Sequence, residues 1–137
     1  MKIYIASRWG RKAEMSGYAK RLTELGHTIT SEWVEETAMD QKADGSYSGG
    51  EWKPDPGYAA SIARQDLGHI DEAQVVLVFT DVSRAGYTGG RHVECGYALA
   101  RGKIVVIIGP RTNPFHYLCG HYETLDDFIA HFELLGL

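Results

Sequence analysis

The stretch Gln74-Val75-Val76-Leu77-Val78-Phe79 decides the fold of this 137-residue chain. It is apolar and mostly β-branched, without polar alternation, which is typical of a parallel strand buried on both faces. A second run of this kind covers residues 103–108, and a helical pattern separates the two. Parallel strands joined by helices predict an α/β sheet.

Strands and helices alternate along the rest of the chain as well. Strands are predicted at residues 2–6, 28–33, 74–79 and 103–108, and helices at 14–25, 56–70, 91–102 and 126–135. The polar, glycine-rich segment 35–56 is predicted to be a long loop. The alternation predicts one domain over residues 1–137, with a doubly wound, Rossmann-like sheet of the flavodoxin-like kind.

Composition excludes several classes of protein. Eighteen acidic and 14 basic residues give a formal net charge of −4 without a long run of either sign, so we expect no nucleic acid polymer as a partner. No apolar run is long enough to span a membrane, and the first one is too short for a signal peptide. Two cysteines, Cys95 and Cys119, suggest no disulfide framework, so we expect a cytoplasmic protein.

Glu94 is the first candidate for chemistry, in Thr88-Gly89-Gly90-Arg91-His92-Val93-Glu94. This stretch follows the strand 74–79, and ligands of open α/β sheets gather at the carboxyl ends of such strands. The glycines, with Gly86 before them, allow the backbone to approach a substrate closely. The alternative is that Glu94 is a first-turn helix acid that only favours the helix dipole.

Three short motifs together resemble one known family. Tyr4 lies in Lys-Ile-Tyr-Ile-Ala-Ser, Asp66 in Arg-Gln-Asp-Leu-Gly-His-Ile, and Glu94 in His-Val-Glu-Cys-Gly-Tyr-Ala. Their order and context resemble the nucleoside 2-deoxyribosyltransferase family, which includes relatives that hydrolyse nucleoside 5′-monophosphates. The resemblance runs from Lys2 to about Tyr117 and implies a small-molecule nucleoside or nucleotide substrate.

The resemblance implies a role for each of the three residues. Glu94 would be the nucleophile that forms a covalent glycosyl-enzyme intermediate, and Asp66 would transfer a proton or hold the base. The Tyr4 hydroxyl would donate a hydrogen bond to Glu94 and favour its ionised form. From the residues alone, Asp66 also fits a solvated helix acid paired with Arg64, and Tyr4 fits a core residue with a wet tip.

A basic turn follows the first strand, with Ser7, Arg8, Gly10 and Arg11 as candidate substrate ligands. Its position suits a phosphate group or sugar hydroxyls. The nucleotide-hydrolysing relatives carry a similar Ser-, Gly- and Arg-rich turn. The alternative is a group of solvated basic side chains ahead of a helix.

One position departs from the transferases of the resembling family. They place a further aspartate a few residues before the nucleophile, where this chain has Thr88, and Asp81 is the nearest upstream acid. Thr88, Gly89 and Gly90 are therefore candidate ligands of sugar hydroxyls or of a 5′-phosphate. The His-Val-Glu triplet after the glycine pair is closer to the nucleotide-hydrolysing relatives, and His92 joins the candidate substrate ligands.

Asn113 is the last candidate substrate ligand. Transferases of the family bring a C-terminal asparagine from a neighbouring subunit to the sugar, and Asn113 is the matching candidate here. This would make the protein a homo-oligomer with shared active sites. The alternative is a turn residue ahead of Pro114.

Neither a metal nor another cofactor is expected. The chain has six histidines, but the spacing of His92, His116 and His121 fits no strong zinc pattern. Aromatic side chains could stack on a nucleobase, although each also fits simple packing. They are Trp9, Trp33, Tyr47, Trp52 and Tyr58.

Three functions remain open on the sequence. The family name favours a 2-deoxyribosyltransferase, in which a second nucleobase captures the sugar. The departure at Thr88 favours a nucleoside 5′-monophosphate N-glycosidase, in which water does so. A non-catalytic nucleotide-binding sensor is the third possibility, and the presence of Tyr4, Asp66 and Glu94 together speaks against it.

Overall fold

The computed structural model describes residues 1–35, 55–82 and 89–136. Within these ranges the strands form one parallel sheet in the order β2-β1-β3-β4-β5. The strands are β1 (Lys2–Ala6), β2 (Thr28–Ile29), β3 (Val75–Phe79), β4 (Ile104–Ile108) and β5 (Gly120–Tyr122). The helices are α1 (Lys12–Glu24), α2 (Pro56–Glu72), α3 (Gly90–Ala100) and α4 (Leu125–Leu134).

The strand order confirms the predicted flavodoxin-like, doubly wound sheet. Every residue of β3 is buried, as expected for a central strand covered on both faces. β3 pairs with β1 on one side, where Tyr4 lies opposite Val76, and with β4 on the other. The order reverses between β1 and β3, and at such a switch point a crevice forms beyond the carboxyl ends of the strands.

The second strand is shorter than predicted. The prediction ran over residues 28–33, but β2 ends at Ile29 and Glu32–Glu35 forms a 3-10 turn. Side chains take over the hydrogen bonds of β1 beyond this point, because Ser31 Oγ accepts from Ile5 N–H at 3.0 Å and Trp33 Nε1 donates to the Ile5 carbonyl at 2.7 Å. The backbone of residues 31–33 is thus released from the sheet.

The edge strand β5 was not predicted. It is a three-residue strand, Gly-His-Tyr, that pairs with β4 with Gly120 opposite Val106. A 3-10 turn over Pro114–Leu118 leads into it. The sequence prediction missed β5 because the segment is short, starts with glycine and has no β-branched run.

Part of the sequence prediction concerns residues that the structure does not describe. Residues 36–54 of the predicted long loop lie outside the described ranges, and so do Tyr47, Trp52, Gly86 and Thr88. Over the described ranges, no helix has the length and apolar character needed to cross a membrane.

Candidate active site

Tyr4 and Glu94 meet at the centre of the candidate site. Tyr4 is in the middle of β1 and fully buried, and its hydroxyl donates a hydrogen bond to Glu94 Oε2. Glu94 is on the first turns of α3, which begins after Gly89, a residue in the left-handed region at φ 81°. That conformation is open to glycine at little cost, and it lets the chain turn into α3 at this point.

Burial controls the charge of Glu94. It raises the pKa of the Glu94 carboxyl from 4.5 to about 8; the hydrogen bond from Tyr4 opposes this, and the negative charge of Asp66 adds to it. The carboxylate is therefore the minor form of Glu94 at neutral pH in the free protein. Asp66, half-buried on α2, acts on Glu94 closely enough to affect its ionisation.

The three predicted catalytic residues thus lie on three different elements of the fold and come together. Tyr4 is on β1, Asp66 is on α2 and Glu94 is on α3. α2 starts with Pro56 in its first turn, and its N-cap Asp55 accepts a hydrogen bond from Tyr58 N–H at 2.9 Å. The arrangement offers one anchored carboxyl group and a second acid beside it.

Three arginines surround Asp81 near the carboxyl ends of β1 and β3. Asp81 Oδ2 accepts a hydrogen bond from Arg8 Nε at 2.9 Å and one from Arg11 Nη1 at 3.3 Å, and it lies 3.9 Å from Arg91 Nη1. Arg8 follows β1, Asp81 follows β3 and Arg91 is in the first turn of α3. The predicted phosphate ligands Arg8 and Arg11 are therefore held by an acid.

Arg11 is held further by a second acid and by the backbone. Its Nε and Nη2 donate to the two oxygens of Glu14, both at 2.8 Å, and its Nη1 donates to the Thr80 carbonyl at 3.1 Å. This two-point pairing lowers the pKa of Glu14, against the effect of its partial burial. Arg11 thereby ties the start of α1 to the end of β3.

The other residues of the basic turn lie beside these arginines. Ser7 Oγ donates to the Arg8 carbonyl at 3.1 Å, and Gly10 is exposed in the 3-10 turn Trp9–Arg11. Gly89 and Gly90 lie at the start of α3, next to Arg91.

Asn113 lies between two histidines of its own chain. Its side-chain amide is 3.1 Å from His116 Nε2 and 3.4 Å from His92 Nδ1, and its Oδ1 accepts from Phe115 N–H at 2.9 Å. Burial lowers the pKa of both imidazoles, and the charge of Arg91 lowers each further. Both histidines are therefore neutral at neutral pH, and Asn113 links the turn after β4 to the start of α3.

The protein family of this chain follows from its similarity to a known family model. The family model for nucleoside 2-deoxyribosyltransferase matches residues 3–131. The chain belongs to the nucleoside 2-deoxyribosyltransferase family. This confirms the resemblance found in the three motifs. No curated protein has a significantly similar sequence.

Two solved structures share the fold of this family member. One is the 2-deoxyribosyltransferase of Bacillus psychrosaccharolyticus, at 20% identity and a TM-score of 0.66, covering 93% of this chain and 90% of that one. The other is a CMP N-glycosidase of Clostridium botulinum, at 15% identity and a TM-score of 0.59, covering 98% and 99%. With its family, this chain is an enzyme of the nucleoside 2-deoxyribosyltransferase kind.

The aromatic residues considered for stacking on a nucleobase differ in how deeply they are buried in this deoxyribosyltransferase homologue. Trp33 is buried and its indole N–H is bonded to β1, so it packs in the core. Trp9 lies 5.7 Å from it, ring centroid to ring centroid, and is half-buried, as is Tyr58 on α2. Among the described residues, no three His, Cys, Asp or Glu side chains are grouped so that they could hold a metal ion.

Sequence reasoning missed Arg91 and His116 and left Asp81 without a role. Arg91 carried a signal, because it lies on the buried stripe of α3 with Cys95 and Ala98, at spacings of four and three residues. A charge on an apolar stripe is uncommon without an anionic partner. His116 is fully buried and accepts from Thr112 N–H at 3.0 Å, which nothing in its local sequence indicates.

Proposed function

We propose that this enzyme cleaves the N-glycosidic bond of a nucleoside or nucleoside 5′-monophosphate through a covalent bond between Glu94 and the sugar. The observation that carries the proposal is the anchoring of the Glu94 carboxyl by the Tyr4 hydroxyl, at the crevice of the sheet and beside Asp66. A positioned carboxylate stabilises the oxocarbenium-like sugar and can bond to its anomeric carbon.

The first step forms one bond and breaks one. A Glu94 oxygen attacks the anomeric carbon, and the electron pair of the C–N bond leaves with the base. Asp66, the second carboxyl group, takes up the proton that Glu94 loses and passes it to the departing base, or it holds that base by a hydrogen bond. The proton on Glu94 must leave before attack, and the Tyr4 hydrogen bond favours that ionisation.

The second step decides the reaction. If the nitrogen of another nucleobase attacks the glutamyl-sugar ester, the enzyme is a 2-deoxyribosyltransferase, the activity that the family model describes. If water attacks, it is an N-glycosidase. In both cases we propose Ser7, Gly10, Gly89, Gly90, His92 and Asn113 as ligands of the sugar or its 5′ group. Thr88 keeps its predicted role in that set, outside the described ranges.

One observation favours the hydrolysis of a nucleoside 5′-monophosphate as a second candidate. Three arginines converge near the carboxyl ends of β1 and β3, close to Glu94: Arg8, Arg11 and Arg91. Two carboxylates lie beside them, Asp81 and Glu14. Guanidinium groups suit phosphate, and a substrate without phosphate has no group that matches the three arginines.

A product assay separates the candidates. The protein is incubated with a panel of nucleosides and nucleoside monophosphates, with and without free acceptor bases, and the products are resolved by chromatography. New nucleosides that appear only with an acceptor indicate transfer, and free base without an acceptor indicates hydrolysis. Binding of nucleotides without formation of any product would contradict both activities and favour a non-catalytic nucleotide-binding sensor.

The covalent step has its own test. A slow 2-fluoro sugar analogue should leave a glycosyl adduct on the peptide that contains Glu94, detected by mass spectrometry. Glu94→Gln should form no adduct and lose turnover by about 10³-fold or more, because the nucleophile is gone while the shape remains. Parent-level turnover in Glu94→Gln would rule out the mechanism.

Substrate choice is tested by the double variant Arg8→Ala, Arg11→Ala. Loss of charge-assisted contacts should raise the Michaelis constant for monophosphates by ~10-fold or more, and that for nucleosides far less. Arg101→Ala is the control, since Arg101 pairs with Asp71 on the exposed surface. Equal effects on both substrate classes would remove the phosphate role and favour the transferase.

A further inference from the structure

Asp81 stands in the position that an anionic ligand of the arginines would take. One of its oxygens, Oδ2, receives hydrogen bonds from Arg8 and Arg11 and faces Arg91 at 3.9 Å. A surface ion pair joins two side chains, whereas here three guanidinium groups, two from the turn after β1 and one from the start of α3, converge on one oxygen. Convergent guanidinium groups are how proteins hold phosphate.

The cluster is enclosed enough for its charges to interact strongly. The side chains of Arg8, Arg11 and Asp81 are 22%, 17% and 22% exposed, and that of Arg91 is 4% exposed. Partial burial acts to raise the pKa of Asp81, but the hydrogen bond and charge of Arg8, with the charges of Arg91 and Arg11, outweigh it and lower that pKa. Asp81 is therefore ionised at neutral pH.

The cluster lies near Glu94, at the carboxyl ends of the central strands. Arg8 and Asp81 follow β1 and β3, the two strands that flank the switch point. Arg91 precedes Glu94 by three residues on α3, about one helical turn. A ligand that reaches from Glu94 to the arginines therefore needs a short span between its sugar and its anion.

We propose that Asp81 is a built-in competitor for the anionic group of the substrate, and that a 5′-phosphomonoester displaces its carboxylate from Arg8, Arg11 and Arg91. This rests on the proposed function, whose site it completes with Asp81 and Arg91. A phosphate carries several oxygens and gives each guanidinium its own acceptor, whereas Asp81 shares one oxygen among the three. Substrates without phosphate leave Asp81 in place.

The competition sets the affinity for small anions. Free inorganic phosphate must displace Asp81 with the contacts of the phosphate alone, whereas a nucleotide adds the contacts of its sugar and base. The cost of displacing Asp81 is the same for both, so the carboxylate weakens both ligands by the same factor, and the bare anion, which makes fewer contacts, is left with the weaker binding.

The test is the binding of inorganic phosphate to Asp81→Asn, measured by titration calorimetry. Removing the competing charge should tighten phosphate binding by about tenfold or more over the parent. Asp71→Asn is the matched control, since Asp71 accepts from Arg101 Nε at 2.8 Å away from this cluster and should leave phosphate binding unchanged. Unchanged or weaker binding in Asp81→Asn, or none in either protein, would overturn the proposal.

A second measurement uses the unaltered protein and does not depend on how the variant folds. In a crystal soaked with inorganic phosphate or a nucleoside monophosphate, the Asp81 carboxylate should lie out of hydrogen-bond distance of Arg8 and Arg11. Phosphate elsewhere with Asp81 still in place would overturn the proposal. Neither experiment needs turnover, so failure of the glycosidic cleavage assay is distinguishable from failure of this proposal.

Discussion

The hydroxyl of Tyr4, a buried residue in the middle of β1, donates a hydrogen bond to the carboxyl of Glu94 on α3. The two residues are joined by the fold, since β1 and α3 lie far apart in the sequence. Tyr4 cannot move without disturbing the central sheet. The position of the Glu94 carboxyl is therefore set by the rigid core, and its ionisation depends on the same hydrogen bond.

Tyr4→Phe should shift the pH dependence of activity. The hydrogen bond lowers the pKa of Glu94 from what burial alone would impose, so its removal raises that pKa. Less Glu94 is then ionised at neutral pH, and we expect kcat to fall by roughly tenfold near pH 7 and to recover in part at higher pH. The measurement is kcat against pH for both proteins.

Tyr97→Phe is the control for this substitution. Tyr97 is also on α3, and its hydroxyl donates to Asp71 at 2.8 Å on the surface. It should leave the pH profile of the parent unchanged. A profile of Tyr4→Phe that is lower at every pH by one constant factor would show that Tyr4 has only a structural role.

The stability of the protein should fall as the pH rises, because of Glu94. Its pKa is about 8 in the folded state against 4.5 ordinarily, so the folded protein keeps a proton that the unfolded chain has released. The stabilisation is complete below about pH 4.5 and is lost as the pH rises through 8.

Glu94→Gln cannot titrate, so its stability relative to the parent should increase with pH. We expect a change of about 2–4 kcal/mol in that difference between about pH 5 and about pH 9, since one pKa unit is about 1.4 kcal/mol. Urea denaturation at several pH values measures it. A difference that does not vary with pH would show that Glu94 ionises normally in the folded state.

The sequence predicted those parts of the fold that local patterns determine. The run Val75–Phe79 identified a central strand, because a strand covered on both faces must be apolar throughout. β2 was predicted too long, because alternation continues past Ile29 while the side chains of Ser31 and Trp33 replace the backbone pairing. No local sequence pattern predicts this replacement of backbone pairing by side-chain hydrogen bonds.

The candidate site was also predictable only where local sequence motifs indicate it. Tyr4 and Glu94 carried family motifs, and the structure brings them together. The arginine cluster depends on Arg8, Asp81 and Arg91, which only the assembled sheet brings near one another. Their meeting follows from the strand order, which a single sequence constrains only weakly.

Gly109→Ala should destabilise the protein by about 1–3 kcal/mol. Gly109 follows β4 at φ 111°, and a Cβ there would lie 2.7 Å from the Thr80 carbonyl oxygen. Gly17→Ala is the comparison, since Gly17 is within α1 with open space around its added Cβ, and helix propensity should stabilise that variant by about 0.5–1 kcal/mol. Urea denaturation measures both, and an unaltered stability in Gly109→Ala would show that the turn relaxes.

The last prediction is that the active species is a homo-oligomer with shared sites. Phe115, Tyr117 and Leu118 are 65%, 66% and 72% exposed in one 3-10 turn, and apolar side chains of this kind are typical of interface cores. Asn113 caps this turn, so docking the turn on a neighbour would bring Asn113 close to the second subunit. Glu94→Ala and Asn113→Ala subunits, each of low activity alone, should recover part of the parent activity when mixed, because some sites then hold both intact residues. A fully active monomer in light scattering at assay concentration would contradict this, since each chain would then complete its own site.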